Sequence, residues 1–219
     1  MNSHYPVMLN LEGRSCVIVG GGAVAARKVD RLLSAGAKVT VISPELHPAL
    51  IALAEDGKIT VRQEPYAPGL LADFHPLLVF AATDDPAVNQ QVISEARSLG
   101  ALVNGVDEHS DDRDFMSMAS VQRGEITVSV SLGGASPALV AHLQRQIDKI
   151  IGEEYTTLSA WMAKARPLVQ EGVKTQQERA ALWRRVIESS ILDTLRQGDT
   201  EAAQQQFDQI IGEALSKSA

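Results

Sequence analysis

A short β-rich run at 15–19 ends in Gly20-Gly21-Gly22, and a helical stripe of Val24, Val29, Leu32 and Leu33 starts directly after it. A chain that turns so sharply from strand to helix is opening a βαβ unit. The alternation continues. Strands are predicted at 38–42, 58–62, 77–81 and 101–106, and helices at 23–35, 48–55 and 86–99. Gly36 and Gly100 close helices from the usual C-terminal position, and Pro44 ends the second strand. The unbroken apolar run 77–81 (LLVFA) suits a strand buried on both faces. Strands and helices alternating at this spacing imply the α/β class, with a parallel sheet covered on both sides.

The pattern changes after about residue 113. Two strand-like segments, 114–120 and 125–132, flank a predicted turn at Gln122-Arg123-Gly124. The second alternates with period 2, as a half-buried antiparallel strand does. Ser136 then reads as an N-cap with Pro137 at the first helical position, and Leu139, Leu143, Ile147, Ile150 and Ile151 form the stripe that follows. From about 153 only helical faces remain: Leu158, Trp161, Met162, Ala165, Leu168 and Val169; then Leu182, Trp183, Val186 and Ser189/Ser190; then Ala203, Phe207, Ile210, Ile211 and Ala214.

Composition excludes several classes of function. Acids outnumber bases 27 to 20, a net charge of -7, so no nucleic acid and no anionic membrane is expected as a partner. The one cysteine, Cys16, rules out a disulfide framework within the chain. The first residues show no basic-then-apolar signal, and no apolar stretch approaches ~18 residues, so a soluble cytoplasmic protein is expected. No His or Cys pair has ligand spacing, so no permanent metal site is expected.

The triplet belongs to a G-x-G-x-x-A pattern running to Ala25. Gly20 permits the tight turn, Gly22 lets the backbone approach a pyrophosphate, and Ala25 allows close helix–strand packing. Gly21, Ala23 and Val24 lie in the same turn, where the free N–H groups of a helix start would face the phosphates. The second strand ends in Ser43-Pro44 rather than the usual acid, leaving Ser43 to meet the adenosine ribose. No Arg stands beside it in sequence to take a 2′-phosphate, so NAD is expected rather than NADP. Thr83, just past the fourth strand, is placed for the nicotinamide half, while Asp84 and Asp85 read as acids capping the next helix. Asp107 follows the fifth strand, where a carboxylate can take a proton or simply cap a turn. Asn104 and His109 lie at the same edge. Gly133, Gly134 and Ser136 expose backbone N–H groups before a helix start, a natural carboxylate cradle.

Taken in order, Tyr5-Pro6-Val7, Leu11-Glu12-Gly13, VGGGAVAARK ending at Lys28, Ala82-Thr83-Asp84-Asp85 with Asn89, Val103-Asn104-Gly105-Val106-Asp107 and Gly133-Gly134-Ala135-Ser136-Pro137 resemble the dehydrogenase/chelatase module of siroheme synthesis. The resemblance covers roughly residues 5–150 and extends to the tail by length and character. It implies a Rossmann-type NAD-binding domain (1–113), a small strand-rich dimerisation region with the Gly-Gly loop (114–150) and an all-helical C-terminal domain (151–219), assembled as a homodimer. It also implies NAD-dependent oxidation of precorrin-2 to sirohydrochlorin, with insertion of transient Fe2+ as an optional second reaction. Asp107 then matches the family's essential aspartate. Asn104, His109, Arg113, Gly133, Gly134 and Ser136 become candidate contacts for a tetrapyrrole bearing eight carboxylates. The sequence departs from the fused enzymes at Leu132, where they carry serine, and at Gly105, where a bulkier apolar residue is common.

The competing reading is a Rossmann protein that binds NAD(H) and signals through its C-terminal helices without turnover. It leaves Asp107 and the Gly-Gly loop without a task. The charge distribution adds a demand of its own: residues 107–114 carry five carboxylates against one base, Arg113. An anionic substrate would need Arg113, Arg123, Lys28 or backbone N–H groups to offset them locally.

Overall fold

Five strands pair in parallel in the order β3-β2-β1-β4-β5: β1 (Ser15–Val19), β2 (Lys38–Ile42), β3 (Thr60–Arg62), β4 (Leu78–Ala81) and β5 (Leu102–Gly105). The computed structural model in which they are seen describes residues 4–105 and 113–218. Side chains of β1 alternate between two cores. Cys16 and Ile18 pack with Ala25, Val29 and Leu32 of α1 (Ala23–Ser34) and with Leu50 of α2 (Pro48–Glu55). Val17 and Val19 pack with Val92, Ile93 and Ala96 of α3 (Pro86–Ser98). Both faces are thus dry, which is why β4 reads as unbroken apolar sequence. Full burial of each such Val or Ile contributes about 1.5–3 kcal/mol. The chain winds outward from β1 through β2 to β3, then returns to the other side of β1 for β4 and β5. The reversal opens a crevice beyond the C-terminal ends of β1 and β4. This is the Rossmann-type arrangement expected.

The second compact unit begins at Met118. It holds an antiparallel hairpin, β6 (Ala119–Arg123) and β7 (Ile126–Val130), followed by α4 (Pro137–Ile150). The helices α5 (Glu153–Gly172), α6 (Gln176–Ile187), α7 (Ile191–Arg196) and α8 (Thr200–Ser218) follow. Leu158, Val169, Leu182, Val186, Ile191, Phe207 and Ile211 form their core. No helix among the described residues is long and apolar enough to cross a membrane.

Two sequence expectations shift here. The first hairpin strand lies at 119–123 rather than 114–120, and Gln122 and Arg123 belong to its ladder, with Arg123 opposite Ile126. The turn is Gly124-Glu125, because only Gly124 supplies a positive φ, +55°, at the first turn position. Asp114 is drawn instead to β5: its N–H donates to the Val103 carbonyl at 2.8 Å, and its carboxylate accepts from the Val103 N–H at 3.0 Å. In the tail, α6 stops at Ile187 and Ser189 donates to the Val186 carbonyl, so α7 is a separate six-residue helix, too short to show a periodic stripe.

Candidate functional site

The turn from β1 into α1 is built from three glycines with different constraints. Gly20 has φ +119°, and a Cβ there would stand 2.2 Å from the Ala82 carbonyl oxygen, so β1 and β4 meet at this glycine. A Cβ on Gly21 would stand 2.0 Å from the Glu45 carbonyl oxygen, because the segment after β2 closes over it and His47 N–H donates to the Gly21 carbonyl at 2.8 Å. Gly22 is exposed, with nothing within 4 Å of a Cβ position. It is the N-cap of α1, with no side-chain cap and no acid in the first turn. Beside it Ala23 and Val24 are also exposed. An uncapped helix start with open space over its only unhindered glycine fits a pyrophosphate, whose oxygens would accept from the first-turn N–H groups.

Around this cradle the expected contacts are partly committed elsewhere. Ser43 is buried and its hydroxyl donates to the Glu45 carbonyl at 2.7 Å, which leaves its lone pairs, not its proton, for a ribose. Pro44 beside it is exposed. Arg62 pairs in register with Ile42, one residue from Ser43, but its Nε donates to Glu64 at 3.0 Å. Thr83 stands at the mouth of the crevice past β4. Its hydroxyl donates to Asn89 Oδ1 at 2.8 Å, its N–H to the same oxygen at 3.1 Å, and its carbonyl accepts from Asn89 Nδ2 at 3.0 Å. Asp85 caps α3 by accepting from the N–H groups of Ala87 and Val88, as expected of it.

Asn104, one strand further, is 7% exposed and its amide is occupied. Nδ2 donates to the Phe115 carbonyl at 2.8 Å, and Oδ1 accepts from Lys28 Nζ at 2.9 Å. Arg113 Nε donates to the Gly105 carbonyl at 3.2 Å. Lys28 also lies 4.5 Å from the centroid of the Phe80 ring. Burial, reinforced by Arg113, Arg31 and Arg27, brings its pKa from 10.5 down to about 8. Asp107 and His109 lie outside the described residues.

In the second unit, Gly133 and Gly134 have φ of +62° and +89°, which explains both glycines by turn geometry. Gly133 N–H donates to Ser131 Oγ at 3.2 Å and Ala135 N–H to the Leu132 carbonyl at 3.1 Å. Ser136 accepts from the Leu139 N–H at 3.3 Å as the α4 cap. Of the three N–H groups expected to cradle a carboxylate, that of Gly133 therefore already has a partner.

Comparison with known proteins places this geometry. Residues 7–118 match an NAD(P)-binding family, and residues 154–211 match the sirohaem synthase dimerisation region. Siroheme synthase of Nitrosococcus oceani is 37% identical over 201 residues, 92% of this chain and 42% of that protein. That of Methylobacillus flagellatus is 37% identical over 206 residues, 94% and 44% of the two chains. The solved structure of SirC, precorrin-2 dehydrogenase, superposes with a TM-score of 0.76 at 26% identity, covering 94% of this chain and 100% of its own. The chain belongs to that NAD(P)-binding family, in the form it takes in siroheme synthases. It spans less than half the length of the two siroheme synthases, 42% and 44%. The dimerisation-region match falls on α5 to α8 rather than on the hairpin.

Within this siroheme synthase module, sequence reasoning left three side chains without their roles. Lys28 carried a legible signal: it sits between Ala25 and Val29 on the buried stripe of α1, where a charge is out of place. Asn89 stood only as a motif member, though at 1% exposure it holds Thr83 on both its polar atoms. Arg62 gave no signal, because only strand register brings it near the end of β2.

Proposed function

We propose that this chain is an NAD-dependent dehydrogenase that oxidises precorrin-2 to sirohydrochlorin. The observation that carries the reading is the match to SirC, precorrin-2 dehydrogenase, along 94% of this chain and all of that one, with the open, uncapped glycine turn at its centre. Gly20 and Gly21 shape the turn, Gly22, Ala23 and Val24 hold the pyrophosphate, and Ser43 and Pro44 border the adenosine ribose. Thr83, fixed by Asn89, borders the nicotinamide. NAD, when bound, supplies a two-electron acceptor for the hydride, which leaves one proton for the protein to remove. Asp107 is the group we assign to that proton; Asn104, His109 and Arg113 in the first unit and, separately, Gly133, Gly134 and Ser136 in the second are proposed as candidate substrate contacts. Iron, if inserted, is a substrate of a later step, decided by adding Fe2+ to sirohydrochlorin against an enzyme-free control.

The three parts read from the sequence, 1–113, 114–150 and 151–219, are proposed as cofactor domain, dimerisation region and helical domain. A homodimer is supported by α4 and β7, none of whose residues is buried, and by the exposure of Leu139 (47%) and Ile150 (65%). The match to a dimerisation region supports a homodimer too, but through 154–211, outside the 114–150 segment. The cytoplasm is the proposed compartment, one that suits the free, buried thiol of Cys16. The deciding experiment supplies precorrin-2 and NAD to the wild type and to Asp107→Ala. Turnover by the wild type alone, with NAD affinity equal in both, supports the assignment; an active Asp107→Ala removes Asp107 from the mechanism. Binding of NAD with no turnover by the wild type favours the NAD(H)-sensing alternative.

A further inference from the structure

Lys28 is a half-buried cation, and its charged neighbours among the described residues are cations. Those facing it are Arg27 and Arg31 on its own helix and Arg113 after β5, and among the described residues no carboxylate pairs with it. The remaining contacts are Asn104 of β5 and the ring of Phe80 in β4, which meets Phe115 edge-on at 5.3 Å. A methionine would cover Phe80 without the cost of desolvating a charge. The amine is therefore explained by what its hydrogen bond holds.

Its hydrogen bond holds Asn104, which in turn donates to the Phe115 carbonyl at 2.8 Å. Arg113 Nε reaches the Gly105 carbonyl at 3.2 Å, Asp114 N–H the Val103 carbonyl at 2.8 Å, and Val103 N–H the Asp114 carboxylate at 3.0 Å. These bonds fasten the residues just before 106 to those just after 112. Lys28 fastens both to α1, the helix whose first turn is the dinucleotide cradle. An ammonium makes this bond roughly twice as strong as a neutral donor would.

We propose that Lys28 is a positioning residue that, through Asn104, fixes the two flanks of the Asp107-bearing segment against the cofactor-binding helix. The consequence for turnover rests on the dehydrogenase reading and on Asp107 as proton acceptor. The fastening itself does not, so two readouts separate them. The first is amide hydrogen exchange in the full chain without cofactor or substrate. In Lys28→Met the Val103 and Asp114 amides should exchange about tenfold faster or more, the scale of one lost charge-assisted bond, while amides of α3 stay within about twofold. Lys28→Gln, which keeps a neutral donor, should fall between, and serves alone if Lys28→Met does not fold. The second readout is turnover. Lys28→Met should lose about 10–100-fold in kcat with the KM for NAD within about threefold of the wild type, as expected when a reacting group is displaced but binding is intact. Lys28→Arg should recover most of the kcat and keep it above pH 8, where the wild type declines as its amine loses the proton. Exchange rates unchanged in both Lys28→Met and Lys28→Gln overturn the proposal. So does Lys28→Met with wild-type kcat. Faster exchange in a chain whose wild type does not oxidise precorrin-2 supports the fastening and counts against the dehydrogenase reading alone.

Discussion

Replacing Gly21 and Gly22 with alanine, one at a time, should separate folding from cofactor binding between adjacent residues. In Gly21→Ala the new methyl is placed 2.0 Å from the Glu45 carbonyl oxygen and 2.7 Å from Ser43 Oγ. The Glu45 oxygen is backbone and cannot swing away, so the segment after β2 must shift. That movement strains the His47 N–H to Gly21 carbonyl bond and the Ser43 to Glu45 bond, 2.8 and 2.7 Å long. Overpacking at a tight site costs about 1–3 kcal/mol and a compromised buried hydrogen bond about 1 kcal/mol more, so about 2–4 kcal/mol is expected. For a chain of this size each kcal/mol lowers Tm by about 2–4 °C, so Gly21→Ala should melt roughly 4–16 °C below the wild type. In Gly22→Ala the methyl meets nothing within 4 Å, and φ is an ordinary -79°. Its stability should fall by no more than about 1 kcal/mol, the loss of a glycine N-cap. The methyl would nevertheless occupy the space assigned to the pyrophosphate, and NAD affinity should drop at least about tenfold, or about 1.4 kcal/mol. Thermal melts and calorimetric NAD titration of both variants decide it. A Gly21→Ala protein as stable as the wild type, or a Gly22→Ala protein that binds NAD equally well, would refute the assignment of these two glycines.

Other consequences follow from single groups. Asn89→Ala leaves the Thr83 N–H and hydroxyl without their buried acceptor and should lower unfolding free energy by about 2–3 kcal/mol in urea titrations, with weaker NAD binding. Lys28 holds its proton less tightly in the fold, at about 8 against 10.5. Below about pH 8 both states are protonated and the burial cost is fully present; between about 8 and 10.5 the unfolded chain binds more protons, so stability should rise with pH, by at most about 3 kcal/mol. Lys28→Met should lack that rise, which paired urea titrations at pH 7 and pH 10 would show. Leu139→Asp with Ile150→Asp should convert the dimer to a monomer by light scattering at micromolar concentration, since both side chains are apolar and half-exposed in the single chain; a wild type that is already monomeric contradicts the proposed assembly.

The first unit is legible in the sequence because a parallel sheet covered on both faces writes its strands as apolar runs. Cys16, Ile18, Val17 and Val19 are all fully buried, so no alternation was needed to find β1. The hairpin was misplaced because register, not composition, sets it: Gly124 fixes the turn, and Asp114 pairs with Val103 across eleven residues of sequence. The glycine triplet was correctly read as a sharp strand-to-helix turn, but Gly21 proved tight against Glu45, a backbone approach that no local pattern encodes. Ser43 and Asn104 illustrate the same limit. Each is a polar residue at a strand end, suited to a ligand, yet each spends a group on a partner that folding brings close. For Asn104 one partner, Lys28, lies 76 residues away. A helical stripe interrupted by a lysine was the one written hint of that contact.

The central claim is a two-electron oxidation, and its most direct test is stoichiometry. Precorrin-2 and NAD supplied to the purified chain, without added metal, should give one NADH at 340 nm for each sirohydrochlorin formed, and none with Asp107→Ala. NAD binding with no NADH and no change in the tetrapyrrole spectrum would contradict the account.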